Sequence, residues 1–342
     1  MQPGSSRFHS IVGGFALCIC ALLCSGLSRA GAIDPPFELL HGNGNFLVVG
    51  SVAEINPVGR IVFTREKVLS GKPQPPKLID IGVPPSVLAR VKPNERYVVG
   101  YSAYGRNRQL NALVANTGGP TLLVSIGLDP ALFRDTPATR ALLAAGGSEG
   151  GRESRRFRGL LLQALNGDDP TLQTLAAGEI ALNADIRERI GDKDALARAV
   201  RSARTSLPAR ALLLEAAAAH PKQLGDWWQA AATDIVKTTP TGGYSDESTD
   251  PSTLVLGALD ALDQHHSIPQ ADALKRWLRS ANPALAERAA LMLRKLSAET
   301  EQTAVKEAVA DPVTPASTRN FLGEYLRRSG RPPSAPAEAG SE

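Results

Sequence analysis

The hydrophobic period of this chain changes at Asp135, and no other feature limits the fold as strongly. From Phe46 to Ser125, β-branched residues are broken at short intervals by glycine and proline, the punctuation of short strands joined by tight turns. Beyond Asp135, alanine, leucine and arginine dominate. Apolar residues there recur with helical spacing, as at Phe157, Leu160, Leu161, Ala164 and Leu165, and again at Leu285, Ala289, Met292 and Leu296. The chain therefore reads as a two-domain α+β protein, with a small β-barrel first and stacked helices second.

Strands are expected over residues 46–55, 60–69, 77–82, 96–102 and 121–125, with no helix among them. Asn56-Pro57-Val58-Gly59 turns the first two into a hairpin, and Pro93-Asn94-Glu95 introduces the fourth. Three runs carry a resemblance: Phe46-Leu47-Val48-Val49-Gly50-Ser51-Val52, Val68-Leu69-Ser70-Gly71-Lys72, and Val91-Lys92-Pro93-Asn94-Glu95-Arg96-Tyr97-Val98-Val99-Gly100. Together they resemble the secreted bacterial domains with the OB-like barrel of the tissue-inhibitor-of-metalloproteinases type. In that family a strand pair leads into a "VLxG" turn, and a "GERYLV"-like turn precedes a buried strand. The resemblance implies an OB-like barrel over residues 33–135. The animal inhibitors act through an N-terminal cysteine on the metal of their target, whereas the cysteines here are Cys18, Cys20 and Cys24 alone. What carries over is the barrel and not the inhibition.

In the second half a capping residue followed by proline marks helix starts, because the cap accepts a free amide and proline gives up a bond it did not need. The signal occurs at Thr136-Pro137, Asp169-Pro170, Asp250-Pro251, Asn282-Pro283 and Thr314-Pro315, with Ser206-Leu207-Pro208 as a looser version. Five antiparallel pairs follow: 153–165 with 170–182, 192–204 with 207–219, 221–237 with 251–265, 269–280 with 283–296, and 299–310 with 315–327. A lone pair cannot bury its apolar face, so neighbours must stack, which is the logic of an α-solenoid over residues 153–329, with an irregular bundle of well-capped helices as the alternative. The turns at Asn166-Gly167-Asp168-Asp169-Pro170 and Ser280-Ala281-Asn282-Pro283 resemble those between the helices of HEAT-type repeats. Residues 136–152 read as a short helix and a glycine-rich linker, and residues 330–342 as a disordered Pro/Ala-rich tail.

Arg7, the apolar run Ile11 to Leu23 and the small residues around Ala30 and Ala32 form a secretory signal peptide over residues 1–32. Its removal takes away Arg7, Arg29 and every cysteine, leaving a net charge of +2, too little for a nucleic-acid footprint. The mature chain is expected to be periplasmic or secreted, without a membrane span or a disulfide.

Chemistry-bearing motifs are sparse. Gly146-Gly147-Ser148-Glu149-Gly150 has the spacing of a nucleophile elbow but follows a helix rather than a strand, so no catalytic residue is assigned. Asp260, Asp263, His265, His266 and Asp272 form the densest metal-capable set, with Asp263, His265 and His266 the candidate ligands. A solvated helix end is the expectation there, and no cofactor is assigned. Adjacent Trp227 and Trp228 on a helix place one ring inward and its neighbour outward, and an exposed tryptophan near Tyr244 would anchor a partner. Arg152, Arg155, Arg156 and Arg158 make a basic cluster for which a solvated face is the expectation and contact with an anionic envelope component the alternative. The expected function is non-enzymatic: an exported scaffold whose helical surface binds a protein or peptide of the cell envelope. One alternative is a peptidase-inhibitor-like or small-ligand barrel with the helices as scaffold, and another is an envelope hydrolase.

Overall fold

The computed structural model describes residues 34–103, 119–123, 130–147, 150–242 and 250–329. The leader, Tyr244, Ser148 and the tail lie outside the described residues. The molecule is a mixed α+β protein with a closed five-strand barrel and many helices. Contacts gather into two compact units, residues 1–160 and 161–342.

In the first unit, β1 (Asn45–Asn56) and β2 (Arg60–Ser70) form the expected hairpin. β2 pairs antiparallel with β3 (Leu78–Gly82), and β1 pairs antiparallel with β4 (Arg96–Ser102). The short β5 (Thr121–Leu122) closes the circuit, parallel to β3 through Gly82 and Thr121 and antiparallel to β4. The order β1-β2-β3-β5-β4-β1 fits an OB-like barrel. A further strand, β6 (Leu132–Arg134), continues along the same edge of β4 and was not expected. Alternation places Phe46, Val48, Ile61, Phe63, Ile79, Ile81, Val99 and Tyr101 in one core. Asn94 enters β4 at φ 63°, a left-handed conformation that asparagine tolerates better than most residues.

One helix interrupts the segment expected to be all strand, and another precedes it. α1 (Pro36–Leu40) puts Phe37 and Leu40 into the interior, so β1 is covered on both faces and Leu47 and Val49 are as buried as Val48. α2 (Pro85–Leu88) adds Val87 to the barrel core. α3 (Pro137–Gly147) includes residues 144–147, which the glycines suggested as linker. Here packing requires glycine: a Cβ on Gly146 would lie 2.0 Å from the Phe37 ring, and one on Gly147 would lie 2.3 Å from the His41 ring. The dividing point between the units falls inside α4 (Arg155–Leu165), whose Phe157 meets Phe37 edge-on at 4.8 Å.

The second unit is helical. Its elements are α5 (Pro170–Leu182), α6 (Ala184–Arg189), α7 (Lys193–Arg201), α8 (Leu207–Ala219), α9 (Pro221–Leu224) and α10 (Trp227–Thr238), followed by α11 (Ser252–Gln264), α12 (Ala271–Lys275), α13 (Pro283–Leu296), α14 (Ala298–Ala310) and α15 (Ala316–Ser329). α12 runs on as a 3-10 turn over Arg276–Arg279. The short α6 was not expected; the Asn183 side chain caps it by accepting from the Ile186 amide. The helix expected over 221–237 is broken at Gly225, whose φ of 97° is open to glycine.

The capping reading explains most helix starts. Asp169 accepts from the amides of Thr171 and Leu172, Asn282 from Ala284, Ser206 from Ala209, Asp250 from Ser252 and Thr136 from Thr139. Thr314 departs from it. The residue is 1% exposed, and among the described residues its Oγ1 finds no hydrogen-bond partner and does not cap α15.

α5 packs on α8, α8 on α11, α11 on α13 and α13 on α15, while α7 packs on α10 and α10 on α12. Polar side chains stitch successive pairs at helix ends, where backbone groups lack partners. Gln173 donates to the Arg204 carbonyl and accepts from the Ser206 amide, Trp277 Nε1 donates to the Val236 carbonyl, and Thr318 donates to the Ser280 carbonyl.

Candidate functional site

The inward faces of α8, α11 and α13 are filled by leucine and alanine, including Leu213, Leu214, Leu254, Leu259, Leu285 and Leu293. Helical spacing then presents the remaining residues of these helices side by side. They are Ala211, Leu212 and Glu215 on α8, Leu256, Gly257 and Asp260 on α11, and Arg288 and Leu291 on α13. The three leucines are half-buried. Gly257 faces open space, since a Cβ there would meet nothing within 4 Å.

A line of charge crosses this face. Asp260 is in contact with Arg288, and Arg288 also reaches Asp263 at 3.4 Å, where Lys295 binds as well. Burial raises the Asp260 pKa from its ordinary value, against the attraction of Arg288. Glu215 is solvent-accessible, yet burial, followed by the charge of Asp260, raises its pKa too. Among the described residues no ion pair holds Glu215, so a cationic or hydrogen-bond-donating group from outside would find an acceptor there.

The expected site residues lie apart from this line or take other partners. Trp228 is 1% exposed and packs its ring 4.6 Å from that of His265, so it is core. Trp227 is half-buried and donates its Nε1 to the Leu224 carbonyl at 2.7 Å. The three candidate metal ligands diverge. Asp263 is held by Arg288 and Lys295, His265 Nε2 donates to the Ala218 carbonyl at 3.0 Å, and His266 sits exposed at φ 55° just after the helix. Arg155 and Arg156 are exposed, and Arg158 donates to the Glu153 carbonyl at 2.6 Å.

Sequence reasoning missed Glu215, Leu212, Leu256 and Arg288, because each is ordinary within its own helix. For Glu215 and Arg288 the one available signal was a charged side chain within a helix rich in leucine and alanine. It also missed His41, whose Nδ1 lies 2.9 Å from Ser70 Oγ in the first unit. Burial, then the nearby Arg152, lowers the His41 pKa to about 4, against a hydrogen bond to the Leu143 backbone. Such an imidazole is a poor general base at neutral pH. It pins the "VLxG" turn against α1.

No family model matches the chain, and no curated protein or solved structure matches it either.

Proposed function

We propose that this is an exported, non-enzymatic binding protein in which HEAT-like helix pairs form an α-solenoid that engages a protein or peptide, joined to an OB-like barrel of the tissue-inhibitor type. The observation that carries this reading is the succession α5, α8, α11, α13 and α15, each packed on the next. Serial stacking of that kind is what repeat arrays use to build extended binding faces. The surface over α8, α11 and α13 supplies what a peptide needs: half-buried leucines for apolar side chains, open ground at Gly257, and at Glu215 a carboxylate without an ion pair among the described residues. The bound segment would be extended or helical, with apolar residues flanking a lysine or arginine.

The test is crosslinking in the native host with the tagged chain, comparing wild type with Gly257→Gln and Leu256→Glu. The first variant adds a side chain where there is room for it, so the fold is kept while the ground is occupied. Retention of one envelope protein by wild type and its loss by both variants, at unchanged melting temperature, supports the reading. Equal retention by all three refutes it.

A further inference from the structure

Many arginines of this protein are held in place. Arg60 binds Asp80 at 2.8 Å, Arg96 and Arg140 converge on the buried Asp135, and Arg279 binds Asp311 at 2.7 Å. Residues 150–159 are different. They carry Arg152, Arg155, Arg156 and Arg158 against one acid, Glu153. Among the described residues none of these four arginines forms an ion pair, and Arg158 alone donates to a neighbouring carbonyl.

Their placement works against helix stability. Arg155, Arg156 and Arg158 occupy the first turn of α4, which contains no acidic residue, where the helix dipole is already positive. The rotation of that turn is set from below. Ser154 Oγ accepts from the Phe157 amide at 3.0 Å, and Phe157 is fully buried against Phe37. With Phe157 inward, Arg155 and Arg156 are exposed, flanked by the half-buried Arg152 and Arg158. Gly159 continues the outward face, and a Cβ there would meet nothing within 4 Å. The result is an outward-facing cationic patch of four arginines with open space at Gly159.

We propose that Arg152, Arg155, Arg156 and Arg158 form a docking patch for the phosphate groups of an anionic lipid surface. Guanidinium forks pair with phosphate in two-pronged fashion, and several neighbouring arginines without an acidic partner among the described residues complement a surface that carries many phosphates. This inference is independent of the peptide-binding face, because the patch belongs to the first unit.

The test is co-sedimentation of the chain without residues 1–32, whose apolar run would itself partition into lipid, with vesicles of phosphatidylglycerol and phosphatidylcholine or of phosphatidylcholine alone. Binding to the anionic vesicles, its loss in high salt, and its absence on neutral vesicles are expected. Arg155→Gln with Arg156→Gln should lower partitioning on the order of 25-fold, about fivefold for each charge removed. Its melting temperature should not fall, because the helix dipole favours the loss. The Arg155→Lys, Arg156→Lys pair keeps the charge and should stay within about fivefold of wild type. No vesicle binding by wild type, or equal binding by wild type and the glutamine pair, overturns the proposal. So does an equal loss by the lysine and glutamine pairs. An arginine-dependent rise in melting temperature with inorganic phosphate, without vesicle binding, would also overturn it, in favour of a soluble phosphate ligand.

Discussion

Replacing Trp277 with phenylalanine removes one hydrogen-bond donor from a place that water does not reach. The indole is 1% exposed, and its Nε1 donates to the Val236 carbonyl at 2.9 Å, near the C-terminal end of α10. That carbonyl is one of the helix-end acceptors without an intrahelical partner, and Arg276 serves its neighbours at Lys237 and Thr239. Phenylalanine strands the acceptor, at a cost of about 1–3 kcal/mol. The missing ring atoms add roughly 1 kcal/mol for the space they leave. The expected loss is therefore about 3 kcal/mol, which in a unit of this size lowers the melting temperature by about 6–12 °C. Urea unfolding followed by far-UV circular dichroism measures it without depending on the fluorophore removed. Trp227→Phe is the internal comparison. Its indole is half-buried, water can replace its bond to Leu224, and it should cost less than about 1 kcal/mol. If Trp277→Phe costs no more than Trp227→Phe, side-chain capping between successive helix pairs does not hold the stack together.

Two glycines in helices should respond with opposite sign. Gly146→Ala drives a methyl into the Phe37 ring and should destabilise the first unit by about 1–3 kcal/mol, whereas Gly257→Ala meets nothing and should stabilise the second by about 0.5–1 kcal/mol, both read from thermal melts. His41, with its pKa lowered to about 4, stays neutral in the fold over a range where the unfolded chain takes up a proton. Its contribution is full above about pH 6.5 and is lost as the pH falls toward 4, up to about 3 kcal/mol in all. Stability measured across that window should fall in the wild type and flatten in His41→Gln; an unchanged slope would show that His41 is not the group responsible.

The elements were legible because their signals are local. Alternation at Ile61 and Phe63 against Val62 and Thr64 needs only neighbouring residues, and so does a cap such as Asp169 before Pro170. Strands β1 to β4 and the helices of each expected pair accordingly fall within a few residues of their expected ends. The errors arose where a local signal had a distant cause. Gly146 and Gly147 look like linker residues until Phe37 and His41, more than a hundred residues earlier, are seen to need the space. Of the candidate face, the sequence showed Asp260, as part of the metal-capable set, but not Glu215 and Arg288, and the three lie on three different helices.

By itself, then, the sequence determined where strands and helices form, which of their faces are apolar and where most helices begin. These follow from backbone periodicity and capping chemistry within a few residues. Only the tertiary structure decided that β5 meets β3 through Gly82 and Thr121 to close the barrel. It alone decided that α8, α11 and α13 lie side by side, so that a carboxylate, a second carboxylate and an arginine line up across one surface. The reason is that packing is settled by volume and by polar satisfaction between residues far apart in the chain, and neither leaves a period that a single sequence can display.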